Sequence, residues 1–210
     1  MPESQITAEQ VRDLREQTGV GVMDCKRALE EAGGDTEKAA RLLRDRGLAS
    51  ARKRQEREAE QGVIESYLHV GQQMGSLVEL NCETDFVARN SDFLELAHLV
   101  ALQIAACKPL FIGRESVPAG VVEGESEKYR ERCSDEGRPE DDWDGAVADM
   151  LEKYYQEVCL LEQPFVKEPS VTVGELITQA SAKVGEKLAI RRFVRFQVDE
   201  ESAGEEGGEV

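Results

Sequence analysis

The residue types best suited to chemistry gather in "NCETDFVARN", residues 81–90. Cys82 could be a nucleophile, since a thiolate attacks electrophilic centres when neighbours lower its pKa. Glu83 and Asp85, with His69, could work as acids and bases or hold a divalent cation. Phe86 follows directly on Asp85, in a place where a loop should begin. Loops run over the surface, so an aromatic there needs a reason. Four readings of Asp85-Phe86 stand open: a catalytic pair, a metal ligand with a hydrophobic lid, a core residue folded inward, or a probe pushed into a partner.

The surrounding sequence weighs against the first two. His69 and His98 are the only histidines, and neither neighbours a nucleophile in the chain. Strand alternation puts Cys82 on a buried face, where structural thiols are far commoner than catalytic ones. Exposed carboxylates in a loop are usually just solvated, and the spacing of Glu83, Asp85 and His69 predicts no convergent ligand set. No phosphate-binding, dinucleotide-binding or nucleophile-elbow pattern occurs. "GVG" at 19–21 lies between helices and reads as a turn. A catalytic, metal-binding or cofactor-binding role is thus the weaker reading of these residues. The run Arg52, Lys53, Arg54, Arg57 alternates with Glu56, Glu58 and Glu60 and has no aromatics for stacking bases, so it reads as a solvated helix face. That leaves Phe86 as core or as anchor. An exposed aromatic beside a charge is the kind of group that dominates interfaces.

The totals agree. The 210 residues carry 43 acidic and 26 basic side chains, a net charge of −17. Phosphate contacts need clustered cations, so direct nucleic-acid binding is not expected. The five cysteines are scattered, odd in number and free of C-x-x-C, which predicts reduced thiols in a cytoplasmic protein. No apolar run approaches the ~18 residues of a membrane span, and the N-terminus has no signal-peptide pattern. The last twelve residues, 199–210, hold six acids and no base and read as a disordered tail.

Three short helices are expected first. A capping box, Thr7 with Gln10, opens one that buries Val11 and Leu14 and stops at Gly19. The second turns Val22, Cys25, Ala28 and Leu29 inward and ends at Gly33-Gly34. Asp35 caps a third, with Ala39, Leu42 and Leu43 inward and Gly47 at its end. This gives a three-helix module at 1–47 and a charged linker helix at 48–61, ahead of an α+β core at 62–198 with a small antiparallel sheet packed against helices. In 63–70, Ile64, Ser66, Leu68 and Val70 share one strand face. In 76–82, Val78, Leu80 and Cys82 alternate, which completes a hairpin with one buried face. Helices follow at 91–107 and 143–159, with an irregular 108–142 holding a short helix near 126–136. A second capping box, Thr172 with Glu175, opens another helix. A closing strand at 188–198 alternates Leu188, Ile190, Val194, Phe196 and Val198.

Four stretches then carry a resemblance. "LREQTGVGVMDCKRALEEAGGD", "VELNCETDFVARNSDF", "EVCLLEQPFVKE" and "VGEKLAIRRFVRF" resemble the elongation factor Ts family, across residues 8–198. The resemblance implies a ubiquitin-associated-type helical module, then an α+β core in the family's short, single-core form. It implies a guanine-nucleotide exchange factor that binds elongation factor Tu, GDP-bound or nucleotide-free, and promotes GDP release. Thr84, Asp85, Phe86 and Val87 would form the intruding loop. Arg12, Leu14, Thr18, Gly19, Val22 and Met23 would mark the module's gripping face. No cofactor, nucleic acid or membrane is implied, and a homodimer is expected, with 188–198 as candidate pairing edge. "PEDDWDGA", 139–146, departs from the family in its acidity and holds the only Trp, Trp143. Two other classes remain in view: an enzyme using Cys82, Asp85 and His69, and a binding module whose helical bundle acts without exchange.

Overall fold

The computed structural model describes residues 6–198, so the acidic tail lies outside the described residues. Its elements in chain order are α1 (Ala8–Thr18), α2 (Val22–Glu31), α3 (Thr36–Lys53), β1 (Gln61–Leu68), β2 (Met74–Cys82), α4 (Asp85–Ala88) and α5 (Ser91–Cys107). There follow α6 (Ala119–Asp135), α7 (Trp143–Val158), β3 (Pro164–Phe165), β4 (Glu168–Thr172), α8 (Val173–Val184) and β5 (Ala189–Gln197). The architecture is α+β, with helices first and then a small antiparallel sheet packed against helices. The chain forms two compact units. One comprises the chain up to Gly62 with Asn81–Phe93 and Leu176–Ala189; the other comprises Val63–Leu80, Leu94–Glu175 and the chain from Ile190 on.

In the first unit, the caps form as the sequence predicts. Gln10 N–H donates to Thr7 Oγ1 and Thr7 N–H to Gln10 Oε1, at 3.2 and 2.9 Å. Gly19 ends α1 in the left-handed conformation, φ 69°, and its N–H returns to the Arg15 carbonyl. Asp35 Oδ1 accepts from Lys38 N–H at 3.0 Å. The core joins Val11, Leu14, Cys25, Ala28, Leu29, Ala39 and Leu43. Its members are mostly small, so it is thin, as expected of so short a bundle.

Three readings change here. Val22 stands in the first turn of α2 and is exposed, not inward. Gly47 does not end α3, which runs on to Lys53. A Cβ at Gly47 would lie 3.1 Å from that of Ala182 on α8, so this glycine serves close helix packing inside a helix rather than a stop. Only a single tight turn, Arg54–Glu56, follows α3 before extended chain, so the linker is helical for just part of 48–61.

In the second unit, the strand order is β1-β2-β5, which leaves β5 at an edge. Helix α5 covers one face: Ser76 Oγ donates to the Ala101 carbonyl at 2.6 Å and Arg195 Nε to the Ala105 carbonyl at 3.0 Å. Val78, Leu80, Leu96, Ala97, Val100 and Ile104 are buried there. The hairpin turn, with His69 N–H on the Met74 carbonyl at 3.0 Å, fixes the register. Register decides which side chains share a face. Val63, Glu65 and Tyr67 therefore go inward with Val78 and Leu80, while Ile64, Ser66 and Leu68 point out. The face that Ile64, Ser66 and Leu68 share is thus the outward face of β1. The same holds for the end of β5, where Val194, Phe196 and Val198 are exposed and only Leu188 and Ile190, at its start, are buried.

Helix α6 is a second correction, since it spans 17 residues where the sequence suggests a short segment. Gly120 and Gly124 lower its intrinsic propensity, and packing on α7 as a helical hairpin overrides that. The hairpin's base buries Val117, Val158 and Cys159 against Phe111, Val122, Tyr154 and Tyr155. Arg114 pairs with Glu162 and Glu152 and lies 4.7 Å from the centre of the Tyr155 ring. Helices α5 and α7 and strand β3 are tied by two amides. Buried Gln103 donates to Gln163 Oε1 and the Pro164 carbonyl and accepts from Val166 N–H, and Gln163 donates to the Cys107 and Glu157 carbonyls. Every polar atom of that pair is used, as a buried network requires. The second capping box, Thr172 with Glu175, also forms, with bonds of 2.9 and 3.2 Å.

Candidate functional site

All ten candidate partner-binding residues fall in the first unit. Strand β2 brings the chain to Glu83, and Thr84 caps α4, a helix of one turn. Its backbone is extended, and its Oγ1 accepts from Val87 N–H at 3.4 Å. This explains the absence of Gly or Pro in the stretch: a side-chain cap, not a tight turn, changes the chain's direction. One turn of helix then divides its residues. Val87 faces inward, 5% exposed, and Phe86 faces out, 81% exposed. Asp85 also faces out and pairs with Arg89 one turn on, at 3.0 Å. Phe86 is therefore not a core residue.

The base of this turn is tied down on both sides. Glu186 accepts from Glu83 N–H and Thr84 N–H through Oε2, at 3.1 and 3.0 Å, and from the Thr84 hydroxyl through Oε1, at 2.6 Å. Glu83 in turn accepts from Lys187 N–H at 2.6 Å and pairs with Arg57 at 3.2 Å. The Lys187 N–H and then the Arg57 guanidinium hold the Glu83 carboxyl below the usual glutamate range, against the cost of its burial. Lys187 Nζ donates to the Gln55 and Arg57 carbonyls, both at 2.7 Å. Beneath, Cys82 Sγ donates to the Thr84 carbonyl at 3.1 Å.

In the helical module, the expected residues divide by burial. Arg12 is exposed and lies 3.9 and 3.7 Å from Glu9 and Asp13. Val22 and Met23 are exposed at the start of α2. Thr18 is half-buried, with its hydroxyl donating to the Leu14 carbonyl at 2.7 Å. Leu14 has no exposed surface and belongs to the bundle core, as Val87 belongs to the floor of the turn. Arg12, Val22, Met23, Asp85 and Phe86 are thus members of the set with exposed side chains.

The groups weighed for catalysis are otherwise engaged. Burial foremost, then the Glu186 charge, pushes the Cys82 thiol up to about 11, so it stays protonated and poorly nucleophilic at neutral pH. His69 Nδ1 lies 3.1 Å from the Tyr67 hydroxyl, and His98 pairs with Glu65 at 3.1 Å. Among the described residues, no three His, Cys, Asp or Glu side chains gather as a metal site, and no helix is long and apolar enough to cross a membrane. Sequence reading missed Glu186 and Lys187 as partners of the turn. They lie about a hundred residues away in the chain, and the only hint was that "VGEKLAIRRFVRF" carries part of the family likeness.

Residues 48–200 match the family model described as elongation factor TS. The elongation factor Ts of Carboxydothermus hydrogenoformans is 52% identical over 201 residues, covering 96% of this chain and 93% of that protein. That of Heliobacterium modesticaldum is 51% identical, covering 93% and 91%. That of Fervidobacterium nodosum is 50% identical, covering 93% of this chain and all of the relative. The chain belongs to the elongation factor Ts family, a family of translation elongation factors.

Proposed function

We propose that this protein is the guanine-nucleotide exchange factor of elongation factor Tu, with Asp85 and Phe86 as the pair that enters the partner. The carrying observation is that Phe86 projects into solvent from a one-turn helix whose base is anchored on both sides. An exposed aromatic on a mobile loop would lose entropy on docking, whereas one on a fixed turn is prepaid. The pair enters between helices of the partner's GTPase domain, near the switch region. Displacing those elements disturbs the magnesium site and the phosphate loop, and GDP leaves. Arg12, Val22 and Met23 grip a second face of the same domain from the helical module at 1–47, with Leu14 and Thr18 shaping it from within and Gly19 closing α1. No covalent bond is made or broken, so the protein is not an enzyme in the chemical sense. It works in the cytoplasm, without a cofactor, nucleic acid or membrane.

Magnitudes require a distributed interface. Burying one Phe yields about 1.5–3 kcal/mol. A thousandfold faster release needs about 4 kcal/mol. Phe86 therefore acts together with the module's contacts, which must favour the nucleotide-free partner. Linkage makes the effect reciprocal: nucleotide weakens factor binding by the same factor that the factor weakens nucleotide binding.

The α+β core at 62–198 is the dimerisation domain in this reading. The outward face of its sheet carries Ile64, Leu68, Leu77, Val194, Phe196 and Val198. Contiguous apolar exposure of this kind marks an interface. A second copy suits it because the face crosses all three strands, ends on the free edge of β5, and holds both signs of charge in the Arg192–Glu79 pair at 2.7 Å. The pairing surface is then the face of the sheet as well as the edge strand.

The test is the release of a fluorescent GDP analogue from elongation factor Tu, followed with the protein, without it, and with the Asp85→Ala/Phe86→Ala variant. Faster release with the native protein, largely lost in the folded variant, is the expected result. Unchanged release with the native protein would reduce the chain to a binding module.

A further inference from the structure

We propose that Glu186 is a positioning residue for exchange, its carboxylate and that of Glu83 forming a reciprocal clamp that sets the pose from which Asp85 and Phe86 meet the partner. The inference rests on the exchange reading above and adds a residue that hydrogen-bonds Thr84 at the base of the turn rather than Asp85 or Phe86.

The argument begins with how Glu186 arrives. Helix α8 ends at Gly185, which takes a left-handed φ of 81° and donates its N–H to the Ser181 carbonyl at 2.9 Å. A side chain at that position would be strained, so the glycine permits the turn that follows. The buried Ser181 hydroxyl then donates to the Glu186 carbonyl and fixes that residue's backbone. From there both carboxylate oxygens of Glu186 are spent on residues 83 and 84, while the Glu83 carboxylate is spent on residue 187 and Arg57. Each segment of chain thus donates backbone hydrogen bonds to the other's carboxylate. The Arg57 guanidinium supplies a cation beside the Glu83 carboxylate, while Lys187 Nζ ties the same segment to the Gln55 and Arg57 carbonyls.

The clamp reaches Phe86 through one atom. Thr84 Oγ1 donates to Glu186 and accepts from Val87 N–H, so the bond that opens α4 is oriented by the bond to Glu186. Phe86 itself, being mostly exposed, gets little direction from packing. Its direction is inherited from Thr84 before it and buried Val87 after it. Hydrogen bonds to a charged acceptor are shorter and about twice as strong as neutral ones. Three of them converging on Glu186 leave the base of the turn a single pose. All three donors belong to the turn, so the Glu186 carboxylate contributes direction to α4 rather than packing to the unit's apolar core.

The experiment is a cycle read by GDP-analogue release from elongation factor Tu at saturating factor, using the full chain. The variants are Phe86→Ala, Glu186→Ala, Glu186→Gln and the Phe86→Ala/Glu186→Ala pair. Loss of the single pose should cost Glu186→Ala about tenfold of the acceleration, equivalent to about 1.4 kcal/mol. Glu186→Gln keeps an acceptor oxygen and should lose less. Residues acting through one another are non-additive. In the Phe86→Ala background, removing Glu186 should therefore change release by less than about twofold. A general loss of folding would instead multiply with the Phe86 effect, and that result overturns the inference. So does native-like activity of Glu186→Ala beside an impaired Phe86→Ala, which leaves the exchange reading intact. Full activity of Phe86→Ala overturns the intruding-pair reading itself. Should Glu186→Ala fail to fold, the same cycle runs with Glu186→Gln. Native-state hydrogen exchange gives an independent readout: the Glu83 and Thr84 amides should lose protection in Glu186→Ala, and unchanged protection rejects the clamp.

Discussion

Phe86 and Phe196 are nearly equal in exposure, 81% and 68%, yet they rest on different foundations. Phe86 stands alone on a single helical turn, with charged neighbours and a hydrogen-bonded base. Phe196 stands among other apolar side chains on a sheet face, and a groove lined by Leu68, Met74, Leu77 and Val198 runs beside it. A lone projecting aromatic suits insertion into a cleft that must be opened. A flat apolar face suits a copy of itself, where area rather than reach supplies the energy. Exposure of an aromatic thus carries little meaning until the rigidity beneath it and the company around it are known.

The largest effect that can break the comparison is on exchange. Asp85→Ala with Phe86→Ala should remove most of the acceleration of GDP release, on the scale of about 4 kcal/mol if acceleration is thousandfold. Leu68→Asp with Phe196→Asp should leave it mostly intact, as a stopped-flow comparison of the two double variants would show. Equal losses in both would mean that the two surfaces serve one interface.

The next effect is on assembly. Burying one such side chain yields about 1.5–3 kcal/mol, so placing two charges on the sheet face should turn a dimer into a monomer in sedimentation equilibrium. Asp85→Ala with Phe86→Ala should leave the mass unchanged. A native protein that sediments as a monomer at micromolar concentration would remove the sheet face from the dimer reading.

Acid should loosen the turn. Glu83 has a lowered pKa in the folded protein, held by the Lys187 N–H and Arg57. Its contribution is complete above the ordinary glutamate pKa of about 4.3 and is lost as pH falls through the lower folded value. Amide protection at Lys187, whose N–H the Glu83 carboxylate accepts, should hold from neutral pH to about pH 5 and then decline. In Glu83→Gln that acid step should be absent. Persistence of the step in that variant would assign it to another carboxylate.

The smallest effect concerns stability. Phe86→Ala removes an exposed side chain and should change unfolding free energy by less than about 0.5 kcal/mol in urea. Leu14→Ala, in the bundle core, should cost about 2–5 kcal/mol. A large stability loss in Phe86→Ala would mean that the ring packs in solution and is no free anchor.

The amino-acid sequence by itself determined the features that depend on neighbours in the chain. Thr7 with Gln10, Asp35 with Lys38 and Thr172 with Glu175 cap helices because donor and acceptor lie three residues apart, and each cap is found where its pattern stands. The strong stripe of α5 is legible for the same reason, as are the burial of Cys82 and the prominence of "TDFV". Only the tertiary structure decided what hangs on distant partners. Strand alternation shows that β1 has two faces, but the pairing with β2 and the one-sided cover of α5 choose the inward one, so Ile64 and Leu68 end outside. Gly47 reads as a helix end, and only the nearness of Ala182 shows it to be a close-packing site. Phe86 could be core or anchor on composition alone. The structure leaves its ring in solvent, on a turn whose base is hydrogen-bonded by Glu186 and Lys187, some hundred residues downstream. Local hydrogen-bonding patterns are written in short spacings, whereas a carboxylate that closes on a remote backbone leaves no periodic trace in the chain.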